Sequence, residues 1–212
     1  MNTRPMQPAA IPVTLHQGYL PGAIGRIAAL HAHYYHRHAG FSMAFEARVA
    51  RELADFCEGQ DNTRDGLWLA LQDGRIEGSI AIHGSAGTAP VARIAPAAPA
   101  AAAAATTATT ATTWPIAHLR WFITSDQTRG HGTGSALLNA ALAFCRAQRY
   151  ELVYLWTFEG LHAARHLYQK AGFRLAHEAR GTQWGTEVNE QRFELSIGLK
   201  PLVHAGRAGN TA

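Results

Sequence analysis

The sequence predicts a mixed α/β fold, a central twisted sheet of parallel and antiparallel strands flanked by about four helices. Three observations carry this. Short apolar runs alternate with stretches of helical periodicity along the 212 residues. A hairpin signal, Asp73-Gly74, joins two early strands. A strand, a glycine turn, a helix and a second apolar strand follow one another from His118 to Phe158, the makings of a right-handed crossover between parallel strands.

Each element has its own signal. Residues 1–10 read as a disordered lead, and Ile11, Val13 and Leu15 alternate as a first strand from Ile11 to Tyr19. Pro21 opens a helix from Ile24 to about His38, with Ile24, Ile27, Leu30 and Tyr34 on one face and Gly40 closing it. Ser42 caps a second helix, striped by Phe45, Val49, Leu53 and Phe56 and ending before Gly59. Leu67–Leu71 and Ile76–His83 are the hairpin strands. From Ala86 to Pro115 the composition falls to Ala, Thr and Pro, which offers almost nothing to bury, so this segment reads as a mobile surface insert. His118–Thr124 is the next strand, and Ser135–Arg149 a helix whose Leu137, Leu138, Ala141, Leu142 and Cys145 make a wide apolar face. Glu151–Phe158 is apolar nearly throughout, as in a strand covered on both faces. Leu161, Ala164, Leu167, Tyr168 and Ala171 form a last helix stopped by Gly172, followed by closing strands Phe173–Glu178 and Gln191–Ile197. Residues 11–198 thus read as one domain, and 199–212 as a disordered tail.

Composition narrows the function. The formal net charge of +4 is spread over arginines, with Lys170 and Lys200 the only lysines, and there is no basic run, helix-turn-helix or zinc spacing to favour nucleic acid. No apolar run reaches the roughly 18 residues of a membrane span, and the N-terminus has no apolar secretory core. Cys57 and Cys145 both fall in helical patterns, which fits unpaired thiols in a reducing cytoplasm. His31, His33, His36 and His38 invite a metal. Only pairs three or four apart share a helix face, however, so His33 with His36 stands closest to a ligand pair, and no Cys or carboxylate lies within the cluster to complete a site. They read as polar helix surface, and no metal is expected.

The chemistry lies in Arg129-Gly130-His131-Gly132-Thr133-Gly134. Between a strand and a helix, such a turn brings backbone N–H groups and the positive helix end close to an anion, and Arg129 adds a forked donor. It has no lysine for a nucleoside-triphosphate loop, and its third glycine comes one residue early for a dinucleotide fingerprint.

What remains, Arg-x-x-Gly-x-Gly, resembles the acetyl-CoA pyrophosphate loop of the GNAT family of N-acetyltransferases. The order of elements from 11 to 198 and the run Leu167-Tyr168-Gln169-Lys170-Ala171-Gly172-Phe173 are also similar to that family. The stretch Leu119–Phe173 is most similar to acetyltransferase domains fused to MarR-type regulators, although no winged-helix half is present. Two departures stand out: the Ala/Thr-rich insert, and Thr124-Ser125-Asp126 where relatives often carry Val-Asp-Pro.

The resemblance implies an acetyl-CoA-dependent N-acetyltransferase acting on an amine of a small molecule or peptide by direct attack, as a monomer or homodimer. It further implies that the strands holding Phe122–Thr124 and Thr157 splay apart. Acetyl-CoA would lie along Phe122, Ile123 and Thr124, with its pyrophosphate on Arg129, Gly130, His131, Gly132, Thr133, Gly134 and Ser135. Tyr168 would be the general acid toward the leaving thiolate, since a phenol stays protonated at neutral pH. The base stays open between Glu159, His118, Glu46 and a water chain. Trp184 is either an aromatic wall of the acceptor site or packing for the last hairpin. The alternative functions are a silent acyl-CoA-binding module and an adaptor that uses the Ala/Thr arm.

Filling the turn tests the cradle. Gly132→Val or Gly134→Val is expected to abolish acetyl-CoA binding measured by calorimetry, and neither ATP nor NAD should bind the native protein. Unchanged acetyl-CoA affinity in a folded Val variant, or tight nucleotide binding, would overturn this reading.

Overall fold

The computed structural model describes residues 12–87 and 114–197. Seven strands form one sheet in the order β1-β2-β3-β4-β5-β7-β6. They are β1 (Thr14–Gln17), β2 (Gly66–Gln72), β3 (Arg75–Gly87), β4 (Trp114–Thr124), β5 (Leu152–Phe158), β6 (Arg174–Gly181) and β7 (Val188–Ser196). The helices are α1 (Ala23–Ala39), α2 (Met43–Glu58), α3 (Thr133–Ala147) and α4 (His162–Lys170). β4 and β5 are the parallel pair, joined by α3, and every other pairing is antiparallel. This is the mixed α/β architecture expected from the sequence. No helix among the described residues is long and apolar enough to cross a membrane.

The helices cover opposite faces of the sheet because successive strand residues alternate sides. In β2, Leu67 and Leu69 join the core under α1 and α2, whereas Trp68 and Ala70 join the core under α3. Ile27 of α1 and Leu53 of α2 anchor the first core, and Leu137, Leu142 and Cys145 of α3 the second. Burial pushes the Cys145 thiol up to about 12, as suits an inert core residue.

Several boundaries move from the sequence expectation. The first strand shortens to Thr14–Gln17 at the sheet edge, where β2 is its one neighbour. The hairpin strands lengthen around a turn in which Asp73 and Gly74 both have positive φ, 50° and 72°. β3 and β4 pair as far as Gly87 and Trp114, so both ends of the segment read as an insert are strand. The remainder of that insert, 88–113, lies outside the described residues, as do the 1–10 lead and the 199–212 tail. The chain also places its last strand, β7, between β5 and β6.

Two irregularities give the sheet its working shape. The β3–β4 register slips between Ser79 and Ala81, so Trp121 and Phe122 together oppose Ile80 in a bulge. Trp121 takes φ 46°, a left-handed conformation rare for a bulky residue. The fully buried Ser79 donates its hydroxyl to Trp121 O at 2.7 Å and holds the bulge in place. Side chains change face there: Leu119 packs on the α3 side, Trp121 on the α1–α2 side, and Phe122 again toward α3. The second irregularity follows from the first. β4 pairs with β5 only at Ile116–His118 against Leu152–Tyr154, and the two strands continue separately beyond His118 and Tyr154.

Ser79→Ala leaves the buried Trp121 carbonyl without its donor, so it should cost roughly 1–3 kcal/mol in urea denaturation. No loss of stability would show that packing alone holds the bulge.

Candidate active site

The turn between β4 and α3 is held from below. Ser125 N–H donates to Glu77 O at 2.7 Å, and the buried Thr128 hydroxyl reaches the same carbonyl at 3.4 Å. Gly130 and Gly132 both have φ 82°, and a Cβ built at either would meet no atom within 4 Å. The space beside them is open to a ligand. Gly132 caps α3 and its carbonyl takes the Ala136 N–H, so the N–H groups of Thr133, Gly134 and Ser135 precede the first helical bond and face the turn. At Gly134 a Cβ would press on Leu167 at 3.3 Å and Phe122 at 3.6 Å without backbone strain, which makes it the cleaner site for substitution than Gly132.

Phe122, Ile123, Thr124, Arg129, Gly130, Gly132, Gly134 and Ser135 line a cleft of ≈ 370 Å³ closed by α4. Of the residues expected at the turn, His131 is exposed and Thr133 is buried, its hydroxyl without a partner among the described residues; neither side chain lines the cleft. Arg129 differs from expectation. Its guanidinium is folded onto Asp126 Oδ1 at 2.5 Å and Thr124 O at 3.2 Å, over the Tyr34 ring at 4.9 Å. Arg37 bonds the other Asp126 oxygen at 2.9 Å, and this bond, with the Arg129 charge beside it, holds Asp126 below the usual carboxylate range.

A second cavity of ≈ 150 Å³ opens between α1, α2 and the separated ends of β4 and β5. A correction follows: β5 is well buried on the α3 side, but Tyr154 and Trp156 on the other side are only half-buried, and Trp156 borders this cavity. Phe41, Phe45, Trp121, Phe158 and Trp184 supply apolar wall. Trp184 does both things weighed for it, lining the cavity and packing against Phe158 at 5.5 Å.

Tyr168 lines both spaces, together with Tyr35 and Phe122. It is 6% exposed, ringed by Phe122, Phe173 and Phe193 at about 6 Å. Among the described residues its hydroxyl bonds to no protein group. Burial, reinforced by Tyr35 and Tyr34, raises its pKa well above the ordinary phenol value, so it keeps its proton.

The base candidates separate sharply. Glu159 and Glu46 are exposed and line neither space, and Glu159 is occupied with Asn189 at 3.2 Å. His118 lines the second cavity, stacked on Tyr154 at 4.4 Å. Burial first, then the charges of Arg120, His83 and Arg192, pull its pKa down to about 3, so it is a feeble proton acceptor at neutral pH.

Two groups went unseen in the sequence. His31, read there as polar surface, is 5% exposed and lines the cavity. Its Nδ1 lies 2.9 Å from Ile27 O, and a carbonyl can only accept, so Nδ1 carries the hydrogen and Nε2 is left as an acceptor. Burial lowers its pKa to about 4. The other missed group is the trio of Arg48, Glu52 and Arg120 on the cavity wall. Of the remaining helical histidines, His36 and His38 bond to the carbonyls of Phe41 and Tyr34. Among the described residues no grouping of three His, Cys, Asp or Glu could hold a metal.

Comparison with known proteins comes down on one family. Residues 29–173 match the model of the acetyltransferase (GNAT) family. No curated protein matches the sequence. Among solved structures, Arabidopsis thaliana NAA60 in complex with acetyl-CoA superposes with a TM-score of 0.64 at 14% identity, covering 88% of this chain and 99% of that one. The ribosomal-protein-alanine N-acetyltransferase of Brucella melitensis gives 0.59 at 12% identity, over 87% and 99%. An acetyltransferase from Streptococcus agalactiae gives 0.57 at 16%, over 89% and 99%. At these identities the likeness is one of fold.

The buried histidine yields a pH test. An unfolded chain protonates His31 near 6.5, whereas the fold keeps it neutral to about 4. In that window the unfolded state binds the additional proton, so stability falls on acidification from about 6.5 to 4, by roughly 2–3 kcal/mol from this residue. Denaturation curves across the window should show that loss reduced in His31→Gln. An identical pH slope in the variant would mean that the imidazole protonates in place.

Proposed function

The chain belongs to the acetyltransferase (GNAT) family, and from that premise we propose that it transfers the acetyl group of acetyl-CoA to an amine of a small molecule or peptide, by direct attack in a ternary complex. The observation that carries this reading is Tyr168, which stands between the glycine-lined cleft and the aromatic cavity where β4 and β5 part. One side has the features of an anion cradle and the other those of an acceptor pocket, and the Tyr168 phenol, with Tyr35 beside it, faces both.

The residues fit acetyl-CoA. Gly130 and Gly132 leave room for a pyrophosphate against the backbone, and the first turn of α3 supplies N–H donors without a side-chain rival. Beyond the last β4–β5 pair, the edge of β4 from Leu119 to Thr124 is free of β5 and can pair with an extended arm. Arg129, already ordered by Asp126, can exchange that carboxylate for a phosphate oxygen. Both partners are exposed, so the exchange costs little.

Acetyl-CoA supplies the thioester and its leaving thiolate. Tyr168 holds a proton at Oη that no other protein acceptor among the described residues claims, in a setting that disfavours its ionisation, and it donates that proton to the departing sulfur. On the acceptor side the Nε2 lone pair of His31 can take a hydrogen bond from the incoming amine, which orients it without requiring a strong base. Two of the named structures support this reading, one solved with acetyl-CoA and the other a ribosomal-protein-alanine N-acetyltransferase.

The test is CoA release with a panel of amines, using Tyr168→Phe, which keeps the ring and its packing. The expected loss lies in kcat, by about 10²–10⁴-fold, with acetyl-CoA affinity and melting temperature unchanged. Full turnover by the Phe variant would remove Tyr168 from the proton path. Silence of the native protein with every amine, while acetyl-CoA still binds, would leave an acyl-CoA-binding module instead.

A further inference from the structure

The acceptor cavity carries charge that proton transfer by Tyr168 does not use. Arg48 of α2 and Arg120 of β4 both line it, with Glu52 between them. Arg48 Nε lies 2.6 Å from Glu52 Oε1, Arg120 Nη2 bonds Glu52 Oε2, and Arg48 Nη1 donates to Gln183 O. Two guanidinium charges therefore stand against one carboxylate. The other titratable groups on the wall are His31, His118, Tyr35 and Tyr168, and burial keeps all four neutral. Asp55 lines only the neighbouring cleft, which it shares with Arg120 and Glu52.

The guanidiniums are fixed and not exhausted. Arg120 lies over the Trp121 ring at 4.1 Å, which orients its plane. Of the five N–H donors of each arginine, Nη2 of Arg48 and both Nε and Nη1 of Arg120 meet no protein acceptor among the described residues. Free donors on a net-positive, half-buried wall, beside aromatic rings, make a subsite for an anionic group attached to an apolar body. The cavity is small, and a cationic acceptor such as a lysine side chain or polyamine meets like charge there. An acceptor that brings its own carboxylate meets complementary charge.

We infer that the acceptor is an amine bearing its own carboxylate beside an apolar side chain, an amino-acid-like molecule held through that carboxylate by Arg48 and Arg120. The inference rests on the acetyltransferase reading and narrows its acceptor. It also bears on the missing base: desolvation in this half-buried cavity disfavours the ammonium form of the bound amine, so the acceptor gives up its proton more readily and neither His31 nor His118 needs to be a strong base.

Phenylalanine, phenylalaninamide and phenethylamine differ in the carboxylate and share the amine and ring. Their binding is measured by calorimetry in the presence of CoA, and their turnover by CoA release, with native protein and with Arg48→Gln and Arg120→Gln. The expected result is a preference for the acid over the amide of roughly tenfold or more, the contribution of charge-assisted guanidinium–carboxylate bonds, with the ratio falling toward one in both variants. Should Arg120→Gln fail to fold, the more exposed Arg48 carries the same comparison. Equal binding of acid and amide, tighter binding of the amide, or a ratio unchanged in a folded variant would overturn the inference. Acid-selective, arginine-dependent binding without turnover of any amine would uphold the subsite and remove the transferase reading, so the two fail separately.

Discussion

Two residues standing opposite one decide where this molecule can work. At Trp121 and Phe122 the fourth strand takes on an additional residue against Ile80, and a strand that bulges toward one neighbour cannot keep its ladder with the other. It stays paired to β3 on both sides of the bulge and parts from β5 after three pairs. The left-handed backbone at Trp121 is unfavourable in isolation, by about 1–3 kcal/mol. It persists because its surroundings determine it: Ser79 holds the carbonyl, Phe56 packs on the indole at 5.2 Å, and the Arg120 guanidinium lies over the ring at 4.1 Å. From that one defect come the free strand edge, the cleft on the α4 side and the aromatic cavity under α1 and α2.

The electrostatics of the two spaces differ in kind. The cleft uses backbone: N–H groups at a helix start, with an arginine parked on a nearby aspartate. The cavity uses side chains taken out of water. There the histidines lose their charge, because an imidazolium gains nothing from burial, and the guanidiniums keep theirs, because arginine does not deprotonate in proteins. Desolvation therefore sorts the polar residues of the cavity into neutral hydrogen-bonding groups and fixed charges.

The elements were legible because their signals are local. The Asp73-Gly74 hairpin, the Gly40 and Gly172 stops and the strand–turn–helix at Arg129–Ser135 are written in neighbouring residues, and they place the glycine turn and the helix that carries Tyr168; the role expected of Tyr168 came from the family resemblance. What escaped depends on pairing across distance. The bulge is a mismatch between Ser79–Ala81 and Arg120–Ile123, and nothing in either run alone announces it. His31 looked like one of four surface histidines because its burial is decided by the packing of α1 against the sheet. Arg48, Glu52 and Arg120 lie on two elements, and only folding brings them to one wall. Glu159 misled for the converse reason, since the end of a strand was a sound place to look, yet its side chain lines neither space and is engaged with Asn189.

Tyr35, Phe122 and Tyr168 form a common wall between the two spaces, and a shared wall makes their occupants interdependent. A ring that shifts to admit one ligand alters the volume offered to the other. On the proposed reading, thermodynamic reciprocity applies: whatever acetyl-CoA does to the affinity for the acceptor, the acceptor would do to the affinity for acetyl-CoA. Two ligands meeting across three rings would then bind as a coupled pair, with the sign and size of that coupling set by side chains no thicker than a single aromatic layer.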